Sequence, residues 1–208
     1  SAEAMAKYVR TSKHLQRIEV RQHHEQMLCY FLPTLQESTS LKKLKINFPL
    51  IGEPYNLLFE NMLTHTHSLR SLILSCQGGL QEEMAMAAVR SGLKKNTTLR
   101  ELTMEVSRGT SFCSILTSLR DHPRLRRVCL HGELVDLTGL ETVLLSETSK
   151  ITGLDIHGVY TCPPGLTSVL QALRRHPILT VLGLQRLHLG RHEARLLQIA
   201  MCNTPSSQ

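Results

Sequence analysis

Apolar residues recur along the chain in one short phrase: an apolar position, two variable ones, an apolar one, one variable, and a last apolar one. The phrase occurs seven times, at Leu15/Ile18/Val20, Leu41/Leu44/Ile46, Leu69/Leu72/Leu74, Leu99/Leu102/Met104, Leu125/Val128/Leu130, Ile151/Leu154/Ile156 and Leu179/Leu182/Leu184. Its first positions lie 26, 28, 30, 26, 26 and 28 residues apart. A period this regular marks a repeat architecture. The alternating end of the phrase puts its apolar side chains on one face of an extended segment, and so predicts a short strand. Ten and six residues before the first position a second apolar register appears, as in Met5/Val9, Phe31/Leu35, Phe59/Leu63, Val89/Leu93, Ile115/Leu119 and Val169/Leu173, with Glu141/Leu145 the exception. Apolar residues four apart share a helical face. Turn formers separate the two registers, in His122-Pro123, His176-Pro177, Asn96-Thr97-Thr98 and Ser38-Thr39-Ser40. Each unit therefore reads helix, turn, strand.

A unit this short cannot bury both of its apolar faces alone, so neighbours must stack strand on strand and helix on helix. Helices are wider than the ~4.8 Å between strands, so stacking predicts a curved arc, with a parallel sheet on the concave side and helices on the convex side. Seven strands at that spacing give an inner wall about 29 Å long. With these seven strand phrases at this period, each preceded by a full helix, the chain resembles leucine-rich repeat proteins of the long, ribonuclease-inhibitor-like class. The expected fold is thus α/β, a leucine-rich repeat solenoid in a horseshoe arc, covering residues 1–208 as a single domain. What the resemblance implies about function is the binding of other macromolecules, since the class is diverse.

The pattern of that class has Asn or Cys three residues beyond the last strand leucine. Here the column reads His23, Pro49, Gln77, Ser107, Glu133, Val159 and Leu187, so irregular loops are expected after the strands. Ala2 to Arg10 and Arg195 to Met201 fit the helices of partial units. Neither end carries a dedicated polar cap, which points to a fragment or one domain of a longer protein, either monomeric or associating end to end.

Leucine accounts for 37 of 208 residues, the excess that the repeat requires. Lys plus Arg number 24 against 17 Asp plus Glu, a formal charge of +7 spread along the whole chain. The charge permits attraction to acidic proteins, nucleic acid or anionic lipid. It also disfavours inhibition of a basic ribonuclease, because like charges oppose long-range attraction. The six cysteines, Cys29, Cys76, Cys113, Cys129, Cys162 and Cys202, have neither C-x-x-C nor scaffold spacing, and read as reduced thiols of a cytoplasmic or nuclear protein. No apolar run reaches membrane-spanning length.

The variable strand positions form columns on the wall away from the core. The third column reads Arg17, Lys43, Ser71, Glu101, Arg127, Gly153 and Val181; the fifth Glu19, Lys45, Ile73, Thr103, Cys129, Asp155 and Gly183; the seventh Arg21, Asn47, Ser75, Glu105, His131, His157 and Gln185. The candidate partner-binding residues are Arg17, Glu19, Arg21, Lys43, Lys45, Glu101, Glu105, Arg127, His131, Asp155 and His157. A rigid wall of mixed charge suits recognition of an acidic or mixed-charge protein. Cys129-x-His131 beside Asp155-x-His157 is the sharpest local cluster. Its residue types would suit zinc or a cysteine nucleophile, but an open wall lacks the closed geometry that both need. The expectation is a non-catalytic interaction module without metal or other cofactor. A nucleic-acid-binding solenoid is the alternative, weakened by columns that contain no aromatic residue for stacking bases.

Overall fold

The computed structural model describes residues 2–20, 25–48, 53–76, 82–106, 113–132, 136–158, 163–176 and 178–202. Seven strands, all in one parallel sheet, follow each other in sequence order and alternate with helices. This is the α/β, leucine-rich-repeat type of architecture that the period predicts. The chain divides into two compact units, Ser1–Glu105 and Val106–Gln208.

The first unit contains α1 (Ala2–Thr11), β1 (Arg17–Val20), α2 (Glu25–Glu37), β2 (Lys43–Phe48), α3 (Glu53–His65), β3 (Ser71–Cys76), α4 (Glu82–Lys95) and the strand β4 (Glu101–Val106). Strand partners are the residues at the same place in successive phrases: Ile18 faces Leu44, and Leu44 faces Leu72. Leu44, Leu72 and Leu102 are wholly buried, as are Phe59, Leu63, Val89 and Leu93 from the helical register. The two apolar registers thus meet in one layer between sheet and helices, and hydrophobic burial sets the strand register, because a slip of one residue would turn every leucine outward. Helices α3 and α4 approach closely at Gly92, where a Cβ would lie 2.8 Å from that of Leu63.

The second unit contains α5 (Cys113–Ser118), β5 (Arg127–Gly132), α6 (Leu140–Leu144), β6 (Gly153–His157), α7 (Leu166–Leu173), β7 (Val181–Gln185) and α8 (Arg191–Cys202). Its core repeats the same layer with Val128, Leu130, Leu154, Ile156, Leu116 and Val169, all fully buried. Helices α6 and α7 both start after a glycine in the left-handed region, Gly139 at φ 91° and Gly165 at φ 80°. The departure from the helical register at Glu141 has a structural counterpart: α6 is only five residues long, and Leu145, just beyond it, is 49% exposed.

The turns before the strands hold a polar spine that the apolar pattern does not reveal. Three residues before the first strand leucine, a side chain accepts from the backbone of that leucine: Ser12 from Leu15 N–H, Ser38 from Leu41 N–H, Asn96 from Leu99 N–H and His122 Nδ1 from Leu125 N–H. Two residues further on, a hydroxyl donates back to the previous repeat: Ser40 to Ser12 C=O at 2.7 Å, Ser68 to Ser38 C=O at 2.6 Å and Thr98 to Thr66 C=O at 3.3 Å. These bonds satisfy turn groups that stacking removes from water. The post-strand loops, with His23, Pro49, Gln77, Ser107, Glu133 and Val159, lie outside the described residues.

Candidate functional site

Alternation places the third, fifth and seventh columns on the sheet face opposite the leucines. In the first unit Arg17, Glu19, Lys43, Lys45, Glu101 and Glu105 all stand there, while Arg21 lies outside the described residues. The opposite charges of this wall are partly spent on one another. Lys45 Nζ reaches from β2 over β3 to both carboxylate oxygens of Glu105 on β4, at 3.1 and 3.0 Å, and Ser75 of the intervening strand donates its hydroxyl to the same carboxylate. The lysine and glutamate side chains are only 24% and 33% exposed, so the pair is screened less than an ordinary surface bridge. Arg17 and Glu19 form a looser contact at 3.9 Å. Among the described residues neither Lys43 nor Glu101 forms an ion pair; they remain the wall's available charges in this unit.

In the second unit the four residues of the sharpest cluster are neighbours, as the columns predict: Cys129 pairs with Asp155 and His131 with His157 across β5 and β6. Arg127 joins them. Its side chain crosses Gly153, where a Cβ would sit 3.3 Å from Arg127 Cγ, and donates from Nε at 2.9 Å and from a terminal nitrogen at 2.6 Å to Asp155 Oδ2. On the far side of Asp155 lies Gly183, where any Cβ would collide with the carboxylate. Two glycines of the columns thus make room for one ion pair. Asp155 holds the Arg127 guanidinium above its ordinary pKa through these hydrogen bonds and their charge. Cys129 Sγ lies 3.5 Å from the same Asp155 oxygen. The imidazoles of His131 and His157 stack, with centroids 4.7 Å apart and planes 28° from parallel.

Asp155 is thus committed to Arg127, and the two imidazoles to one another. Among the described residues no group of three or more His, Cys, Asp or Glu converges on a point where a metal ion would sit. No helix among them is long and apolar enough to cross a membrane. The columns place these side chains together in the sequence; that Gly153 and Gly183 belong to the same arrangement emerges only from the structure. The signal was present in the sequence as two glycines beside two charged residues in adjacent columns.

The seven parallel strands alternating with helices at this period fit the leucine-rich repeat type of fold. No protein-family profile matches the chain, and no curated protein is similar to it in sequence. Among solved structures, one described as leiomodin-1 actin-binding site 2 is similar over 95% of this chain and 87% of that one, at 15% identity and a TM-score of 0.39. The tropomodulin C-terminal domain of Caenorhabditis elegans is similar over 98% and 92%, at 9% identity and a TM-score of 0.32.

Proposed function

We propose that the chain is a non-catalytic protein-interaction module, a single domain over residues 1–208 of the long, ribonuclease-inhibitor-like repeat class, acting in the cytoplasm through a concave strand wall. The observation that carries this reading is the way two ion pairs of the wall are held before any partner arrives. Lys45, Ser75 and Glu105 hold one another across three strands, and Arg127 and Asp155 are locked over two glycines. Side chains already ordered lose little entropy when a partner docks. Lys43 and Glu101 flank this fixed frame and supply the charges that set register on a mixed-charge protein surface.

The test is affinity capture with the whole chain in three forms: wild type, the wall variant Lys43→Glu with Glu101→Lys, and the helix variant Lys94→Glu on α4. The reading requires a protein retained by the wild type and by the helix variant and lost from the wall variant. A partner retained equally by all three, or lost only with Lys94→Glu, contradicts it.

A further inference from the structure

A groove of about 480 Å³ opens on the helical side of the second unit, lined by Glu141, Leu145, Ser168, Gln171, Ala172 and the adjoining arginines Arg174 and Arg175. It exists because two neighbouring coils differ in length. From the left-handed Gly139 to the next strand's first apolar position, Ile151, the chain takes twelve steps, whereas from Gly165 to Leu179 it takes fourteen. Helix α6 therefore ends after five residues while α7 runs for eight, and the last turn of α7 has no helical neighbour on that side. Leu145, which in a full-length helix would continue the apolar register, is instead left half exposed, while Ala172 of the same lining is buried.

Two arginines stand against one acid among the charged residues of this lining. Glu141, the one acid in the lining, turns its carboxylate to the N–H of Gly139 at 2.9 Å and so satisfies the start of its own helix. Arg174 and Arg175 are exposed, and among the described residues neither has an ion-pair partner. Two guanidiniums in a largely polar lining, with the half-exposed Leu145 as its apolar element, favour carboxylates next to one apolar group, because Arg binds carboxylates through paired hydrogen bonds.

We infer that this groove is a second binding surface, separate from the strand wall, that takes an acidic segment of a protein partner carrying one aliphatic or aromatic anchor. The anchor covers Leu145, and flanking carboxylates meet Arg174 and Arg175.

The experiment screens the full chain against two synthetic libraries of short peptides, one randomised among Asp, Glu, Ser, Gly and apolar residues, the other with Lys and Arg replacing the acids. A single-stranded RNA oligomer is the third probe. The expected result is saturable binding of acidic peptides that contain an apolar residue. Affinity falls about tenfold or more when that residue becomes Ser, or when the protein carries Arg174→Glu with Arg175→Glu. Leu145→Ser, at a half-exposed position that leaves folding intact, gives a smaller loss. The wall variant Lys43→Glu with Glu101→Lys binds the peptides as the wild type does, so failure of the wall reading leaves this result standing. Absence of enrichment in the acidic library, binding unaffected by the arginine reversal, or tighter arginine-dependent binding of the RNA overturns the inference.

Discussion

Lys45 and Glu105 stand on strands that are not neighbours, yet the ammonium of one contacts both carboxylate oxygens of the other across β3. An ion pair that spans an intervening strand fixes three strands relative to one another, with Ser75 of the middle strand bonded to the same carboxylate.

Because this pair is only partly exposed, a double-mutant cycle with Lys45→Met and Glu105→Gln should give a favourable coupling of about 0.5–1 kcal/mol at low salt. Molar salt should reduce it. Chemical denaturation of the four forms measures the coupling; additive single effects would mean that the contact contributes no stability.

Glycines of the second unit should respond unequally to alanine. At Gly183 the new methyl meets only the carboxylate end of Asp155, so Gly183→Ala should displace Asp155 from Arg127 and cost about 1 kcal/mol or less. At Gly165 the backbone is left-handed and a Cβ would lie 2.7 Å from the Thr138 nitrogen, so Gly165→Ala should cost about 2 kcal/mol or more. Thermal unfolding ranks the two, and the opposite order would contradict the geometry.

The repeat, the strand register and the wall columns are legible in the sequence because hydrophobic burial repeats with a fixed period, and a period can be read without coordinates. Ion pairing along the wall is not legible. The fifth- and seventh-column positions of Lys45 and Glu105 are plain from the alternation, but only the reach of a lysine over Ile73 and past Ser75 joins them. The polar spine escapes notice for a different reason: Ser12, Ser38, Asn96 and His122 do one job with different side chains. A search for apolar period records them only as turn formers. The groove beside α6 was half visible, in the exception at Glu141 and in the change of interval from 26 to 28 residues on either side of Ile151.

The spine predicts an exchange between repeats. Asn96 accepts from Thr98 N–H and Leu99 N–H and donates to Leu63 C=O at 2.6 Å, all of it buried. Asn96→Ala strands these groups and should cost about 2–3 kcal/mol. His122 occupies the equivalent place with Nδ1 as acceptor, while its Nε2 has no partner among the described residues. Asparagine there, through His122→Asn, should keep the turn bonds and leave the fold intact near neutral pH. Urea midpoints of the two variants check this, and a larger loss from His122→Asn than from Asn96→Ala would contradict it.

Acid should expose the same histidine. Burial pushes the His122 pKa down from 6.5 to about 4, and burial lowers that of His176 as well. Above pH 6.5 the ring is neutral in both folded and unfolded chains. Between 6.5 and 4 the unfolded chain takes up a proton that the folded one refuses, so stability falls as pH drops, by about 3 kcal/mol for His122 by pH 4. Denaturation between pH 6.5 and 4.5 should show a shallower fall in His122→Asn than in the wild type; parallel curves would remove His122 as the cause.

The most direct test of the wall as a binding face is lysine acetylation of the chain, free and bound to a captured partner, read residue by residue in the mass spectrometer. The account predicts that Lys43 on β2 loses reactivity several-fold on binding while the exposed Lys94 on α4 does not. Protection of Lys94 with Lys43 unchanged would place the partner on the helices and contradict the account.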